Sequence, residues 1–475
     1  MAKDLRSFID ALRASRSADL VEIERQIPRD LYMTVIQEKL AKQGRYPAVL
    51  FRNVAGNRWP TVTGLFSSYS LLARALDVDP TEKGRVLAEY MKREANPIAP
   101  VSFSGRTAPV QEIVMTGDDI DLDSLPVQQH CAGDSGRYIT IGCMICKDPV
   151  SGVTNVGTYR HELKGRARMG CMMNPVQHAA TIRGRHHAAG NAMEVAVFIG
   201  HHPAYHIGGA SRGPLEHDEL AVTGGLLGEP VELVACKTVD LKVPAYAEVV
   251  IEGRIPPGSF DNDGPFAEYA GYYGAPMNVP AIEVTAITRR RDPIWHDLFP
   301  SFREHTQVGV LGREAQLYRR IREIVPNLGG VHLPPSGANF WHCYVSIRKR
   351  AQGEGKLAGL AVLGSNYDVK HVIVVDDDID IYDDQEVLWA VATRVQADVD
   401  CSIVTNSFGA HLDPTAYGET RSERGPMTTK VIIDTTRPLS RQFAERVRPA
   451  KDLWDSVDLR DYVGVGNPGG DNPGR

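Results

Sequence analysis

Three short segments gather side chains that could do chemistry. NVGTYRHELKG carries Asn155 and Arg160, NPVQHAA carries Gln177 and His178, and FDNDGPFAEYAGYYG carries Asp263 and Glu268. A fourth, HDELAVTGGLLGEP, places Glu219 at what reads as a helix start. Asp263 and Glu268 flank Gly-Pro-Phe, a turn signal. A turn that brings two carboxylates together splits their pKa values, as acid–base work requires. From spacing alone, two solvated loop acids are the simpler reading. Asn155 and Arg160 are five residues apart, so a regular strand would turn them to opposite faces. Gly157 could bend the chain between them. A lone histidine such as His178 is more often a satisfied polar residue than a ligand.

The order of the segments carries more than each alone. NxGxYR, then QH, then an acidic helix start, then DGPFAE followed by GYY resembles the UbiD family of decarboxylases. KTVDLKVPA, VPAYAEVVIEG and HVIVVDDDIDIYD share the likeness, which spans roughly Leu5 to Val463. The resemblance implies a prenylated FMN whose phosphate is bridged by a divalent ion, Mn2+ or Mg2+, to Asn155, His178 and Glu219. Val156, Gly157, Thr158, Arg160 and Gln177 would border the cofactor, and a potassium ion would accompany it. An amide oxygen, an imidazole and a carboxylate, completed by phosphate and water, suit such an octahedral ion.

The likeness also implies roles. Arg160 would hold the substrate carboxylate through its planar fork, which lysine lacks. Glu268 would transfer the proton. Asp263 stands where many members have glutamate, and would orient Arg160. His296, Phe299, Gln307 and Leu311 would border the substrate. The implied reaction is a reversible, non-oxidative decarboxylation of an aromatic, heteroaromatic or α,β-unsaturated acid. Loss of carbon dioxide from an sp² carbon leaves a carbanion that no side chain delocalises, so a cofactor must take the electrons. Two other readings stay open: a metal-dependent hydrolase using Asn155, His178 and Glu219 without flavin, and a flavin-binding assembly subunit of low activity. A flavin prenyltransferase would supply the cofactor, and a homo-oligomer, dimer or hexamer, is implied.

Elements along the chain must position these residues. The fold class is a multidomain α+β or α/β architecture. Residues 1–105 form a mixed α/β region, with helices at SFIDALR and LYMTVIQEKLAKQ and a strand at YPAVLFRNV. Residues 106–305 form the β-rich, split-barrel-like domain for flavin and metal, its strands in YITIGCMI, EVAVFIG, VELVACKT, AEVVIEG and AIEVTAIT. Residues 306–328 hold a linker helix, with Leu311, Ala315, Tyr318, Ile321 and Val325 at helical spacing. Residues 329–450 alternate strands and helices as an α/β oligomerisation domain, and 451–475 form a tail that ends in VGVGNPGGDNPGR, a composition expected to be disordered.

Composition sets outer bounds. The 475 residues carry a net charge of −6 with 43% hydrophobic residues, which argues against a nucleic-acid surface and fits a globular protein of two or three domains. No run of eighteen apolar residues occurs, and the N-terminus lacks a secretory signal, so a cytoplasmic location is expected. Several clusters read as structural. Cys143 and Cys146 form a CxxC inside a strand, with no second ligand pair nearby. The aspartates from Asp376 to Asp380 precede a helix that Asp383 or Asp384 could cap. His201, His202 and His206 read as a surface loop, and Arg289 to Arg291 as a solvated charge run. Gly224, Gly225 and Gly228 read as a helix end rather than a phosphate loop.

Overall fold

The computed structural model describes residues 2–417 and 425–462; the expectation for VGVGNPGGDNPGR falls outside them. The N-terminal helices expected from periodicity lie at Leu5–Ala14 and Tyr32–Lys42. The first buries Leu5, Phe8, Ile9 and Leu12 along one face, and Asp4 caps it by accepting from the Ser7 N–H. Strands Leu20–Ile23, Ala48–Phe51 and Thr61–Thr63 form a small sheet. Its fourth strand, Trp295–His296, comes from far along the chain and pairs in parallel with Thr61–Thr63.

The central sheet has eight strands. Its path runs Phe260–Asp263, Met277–Arg289, Val249–Ile255, Met193–Ile199, Tyr138–Lys147 and Thr154–Glu162. Ile113–Thr116 and Arg168–Gly170 pair onto the long strand Met277–Arg289. The ends of the path approach through the bridge Leu163↔Met169 and a 3.1 Å bond from the Met172 N–H to the Arg160 carbonyl, but the sheet does not close into a barrel. Near-continuous apolar runs such as Met193–Ile199 follow from burial on both faces.

The C-terminal sheet is mixed. Leu328–His332, His342–Ile347, His371–Asp376, Met427–Asp434 and Cys401–Phe408 lie in that order, the middle three parallel. Helices Glu354–Ser365 and Asp384–Arg394 complete the α/β pattern. The helix between the regions is Val310–Ile324, and it is far from free-standing. Val310, Leu311, Ala315, Leu317 and Ile321 are buried in one apolar cluster that also holds Leu5, Val86, Ile145, Val345 and Val372. Among the described residues no helix is long and apolar enough to cross a membrane.

Two readings of polar clusters need correction. His201, His202 and His206 are buried, not on a surface loop: the glycine turn after Met193–Ile199 sends the chain inward, where Phe8 packs edge-on against His202. Burial keeps His202 near 4 and His206 near 3, so both are neutral imidazoles. Arg290 also leaves the solvated run, bonding Asp4 at 2.9 Å and the Tyr246 carbonyl. Cys143 and Cys146 behave as packing residues, one in each of two apolar clusters, and burial pushes the Cys143 thiol up to about 12. Asp383 caps Asp384–Arg394 as expected, and Gly228 ends Glu219–Leu227 in the left-handed conformation.

Candidate active site

Strand Thr154–Glu162 supplies one wall of a cleft of about 920 Å³, which Asn155, Val156, Gly157, Thr158, Tyr159 and Arg160 all line. Asn155 and Arg160 therefore share the cleft despite their odd spacing. Residues of both faces of Thr154–Glu162, the last strand of the sheet path, line the cleft, and the neighbouring strand is irregular opposite Arg160. Between the pairs Gly142↔Tyr159 and Ile139↔His161, Thr140 and Ile141 together oppose Arg160 alone. That is a β-bulge on Tyr138–Lys147.

In the cleft Arg160 meets two carboxylates. Its Nη2 donates to Asp263 Oδ2 at 2.6 Å, its Nε to the same oxygen at 3.2 Å, and its Nη1 to Glu268 Oε1. The guanidinium also lies 4.5 Å over the Phe266 ring. Asp263 is fully buried at the end of strand Phe260–Asp263, and its Oδ1 has no hydrogen-bond partner among the described residues. Glu268 follows the turn that Gly264 starts at φ +88°. Gly274 leaves room for it: an added Cβ there would lie 3.0 Å from Glu268 Oε1. Burial raises the Glu268 carboxyl above the ordinary range, and the Asp263 charge adds to this while Arg160 opposes it. The turn itself is tied down by Glu162, two residues beyond Arg160. Glu162 accepts from the Tyr138 hydroxyl and Ser135, both at 2.9 Å, and from the Gly264 N–H at 3.3 Å.

Asn155, Glu219, Gln177 and His178 also line the cleft. Asn155 Nδ2 donates to Glu219 Oε1 at 2.9 Å, and the Val156 N–H donates to Oε2 at 3.0 Å. Glu219 opens helix Glu219–Leu227 and has no lysine or arginine partner among the described residues; burial pushes it up to about 7. A divalent cation bound to it would favour its charged form. His178 opens helix His178–Ala188, and burial lowers its pKa, as do the charges of His217 and Arg212. Among the described residues no hydrogen bond joins it to Asn155 or Glu219. Asn155, His178 and Glu219 all line the cleft, and an amide, an imidazole and a carboxylate are donor types that suit a hard divalent ion. The cleft volume lies in the roughly 300–1,000 Å³ range of ligand pockets.

His296, Gln307 and Leu311 are buried behind the cleft wall, where Leu298 and Val308 face the opening. Among the described residues both ring nitrogens of His296 and Oε1 of Gln307 lack hydrogen-bond partners. Phe299 is buried and donates its N–H to Glu304 at 3.3 Å. Sequence reasoning missed Phe266, Tyr269, His305, Arg313 and Phe340, all on the cleft. Phe266 and Tyr269 sat inside the quoted motif; Arg313 and Phe340 carried no local signal.

Known proteins share the sequence and the fold of this chain. HmfF of Pelotomaculum thermopropionicum, a UbiD-class enzyme solved with FMN, is 38% identical, with a TM-score of 0.88 over 97% of this chain and 100% of that one. An evolved dimeric form of the same enzyme, solved with prFMN, is 36% identical at a TM-score of 0.85, over 97% of this chain and 100% of that one. An anhydromevalonate phosphate decarboxylase of Methanothermobacter thermautotrophicus is 31% identical over 445 residues, 92% of this chain and 97% of its own length. Family models of the 3-octaprenyl-4-hydroxybenzoate carboxy-lyase match in three parts: the N-terminal domain at residues 11–91, the Rift-related domain at 102–302 and the C-terminal domain at 306–435. Together they cover most of the chain, which belongs to the UbiD family of carboxy-lyases.

Proposed function

We propose that this chain removes carbon dioxide from an aromatic or α,β-unsaturated acid in the cleft between Arg160 and Glu219, with prenylated FMN as cofactor. The observation that carries the reading is the Arg160–Asp263–Glu268 cluster: one guanidinium held against two buried carboxylates at the cleft wall. Bound there, the cofactor would supply the electron sink for the carbon that loses carbon dioxide. Asn155, His178 and Glu219 would hold a manganese or magnesium ion beside its phosphate.

The chain's own residues do the rest. Arg160 orients the substrate carboxylate, and Asp263 fixes the plane of the guanidinium through two of its N–H groups. Glu268, whose carboxyl burial raises above the ordinary range, returns a proton to the vacated carbon. Phe266, Tyr269 and Leu298 present apolar surface to the acid and keep water from that carbon. The related dimeric structure supports assembly of this chain into a homo-oligomer.

The test is His178→Ala, produced together with a flavin prenyltransferase. Metal content and flavin absorbance should both fall. A full complement of each in the variant would remove His178 from the metal site.

A further inference from the structure

A second cavity, of about 320 Å³, is separate from the cleft: none of the residues that line it borders the cleft. Its volume falls at the lower end of the roughly 300–1,000 Å³ range of ligand pockets. Three stretches distant in sequence meet around it. The N-terminal stretch brings Lys3, Phe8, Ala11 and Leu12. The end of helix Tyr69–Ala75 and the residues after it bring Arg74, Asp77 and Val78. The turn after Met193–Ile199 brings His202, whose ring meets Phe8 edge-on at 5.1 Å. Phe8, Leu12 and Val78 are buried and give the cavity its apolar surface.

The polar surface consists of donors with spare capacity. Arg74 donates its Nε–H to Asp19 at 2.5 Å, and neither terminal nitrogen of that guanidinium has a hydrogen-bond partner among the described residues. His202 is 7% exposed. Its Nδ1 accepts from the Ala204 N–H at 3.2 Å, so the neutral ring carries its proton on Nε2. That N–H also has no partner among the described residues. Lys3 uses two of its three N–H groups, one on Asp77 Oδ2 and one on the Leu227 carbonyl, both at 3.0 Å. Asp77, the one carboxylate on the lining, is thus tied to Lys3. A buried N–H without an acceptor costs free energy. The acceptor that fits here is an oxygen pair that a guanidinium and an imidazole can share, joined to a hydrocarbon body. Lys3 is held by Asp77 and Arg74 is shared with Asp19, so the surroundings match a single negative charge and not a phosphate dianion.

We infer that this cavity is a second ligand site, for a small monocarboxylic acid whose carboxylate meets Arg74 and His202 while its hydrocarbon body covers Phe8, Leu12 and Val78. The occupant ties the first helix to two segments far along the chain, so it stabilises the folded protein by mass action.

The experiment uses the flavin-loaded protein with 4-iodobenzoate and its neutral match, 4-iodobenzamide. Anomalous scattering from crystals grown with the acid should place an iodine in this cavity, whether or not a second one occupies the cleft. Ala11 lines the cavity from an exposed position on the first helix, so Ala11→Trp fills the space at little cost to the fold. Calorimetry should show one more binding event for the acid in the wild type than in Ala11→Trp. Flavin absorbance and carbon dioxide release should be the same in both. Arg74→Gln should weaken that event about 10- to 100-fold, as loss of a charge-assisted hydrogen bond implies; Ala11→Trp serves if the glutamine variant does not fold. The melting temperature should rise further with the acid in the wild type than in either variant. An iodine confined to the cleft, equal numbers of binding events in wild type and Ala11→Trp, or an amide that binds the cavity as tightly as the acid would each overturn the inference. So would displacement of the acid from the cavity by a lower concentration of inorganic phosphate than of benzoate.

Discussion

Two clusters differ in charge balance, one at the cleft and one on the C-terminal sheet. At the cleft, one arginine serves two buried carboxylates, Asp263 and Glu268. At the end of the C-terminal sheet, Asp376 and Asp378 are surrounded by Arg394, Arg437 and Arg448. The contrast shows what the ratio of charges does. Where carboxylates outnumber cations, burial wins and Glu268 is raised, so a proton is available for chemistry. Where cations outnumber carboxylates, Asp378 is lowered: burial pushes it up, but Arg394 and Arg437 together outweigh that. Asp376, more deeply placed, is still raised by burial, with Arg437 and Arg394 opposing. The second cluster is a staple that binds the segment around Arg437 to the sheet, and DDDID is therefore an arginine site and not a metal site.

The comparison breaks most visibly at Glu268. Glu268→Gln keeps the shape and removes the titrating group. Turnover should fall about 10²- to 10⁴-fold, the usual weight of a placed proton donor, with flavin absorbance retained. The wild-type rate should fall as pH rises through the raised Glu268 pKa, because the protonated donor is lost, and the variant should lack that limb. Near wild-type carbon dioxide release in the variant would remove Glu268 as donor.

Asp263→Glu sharpens the view of the same cluster. Asp263 is fully buried, so an added methylene overpacks its site, at a cost of about 1–3 kcal/mol, and displaces Arg160. Steady-state rates should drop roughly tenfold or more. A variant as fast as wild type would show that aspartate and glutamate are interchangeable here. At the staple, Asp376→Asn should leave kcat within error and lower stability by about 1–2 kcal/mol in a urea melt, since Oδ2 bonds both Arg394 and the Arg437 backbone. Loss of turnover with unchanged stability would mean that the two clusters are not separate.

Legibility in the sequence followed the range of the forces involved. Helices Leu5–Ala14 and Tyr32–Lys42 and the strands of the central sheet show in local periodicity, because each buries one face or both. The cluster at Arg160 was legible only through the ordered motifs, since the spacing of Asn155 and Arg160 would turn them to opposite faces, while residues of both faces of their strand line the cleft. Arg313 was invisible for a different reason. Its helix reads as amphipathic, with Leu311 and Ala315 inward, and the residue becomes buried only when Phe340 arrives over it from the C-terminal domain. His201, His202 and His206 were misplaced on the surface for the same reason: the residues that cover them are distant in sequence.

The strand Trp295–His296 has a consequence for synthesis. It completes the first sheet by pairing with Thr61–Thr63, roughly 230 residues earlier. At about 5–20 residues per second, a ribosome takes on the order of 10–50 s to make that span. Through that interval the nascent N-terminal sheet keeps an open edge at Val62, a residue fully buried in the finished fold. The first hundred residues are thus an unfinished unit on the ribosome, and chaperone capture of this chain should centre on that edge until Trp295 emerges.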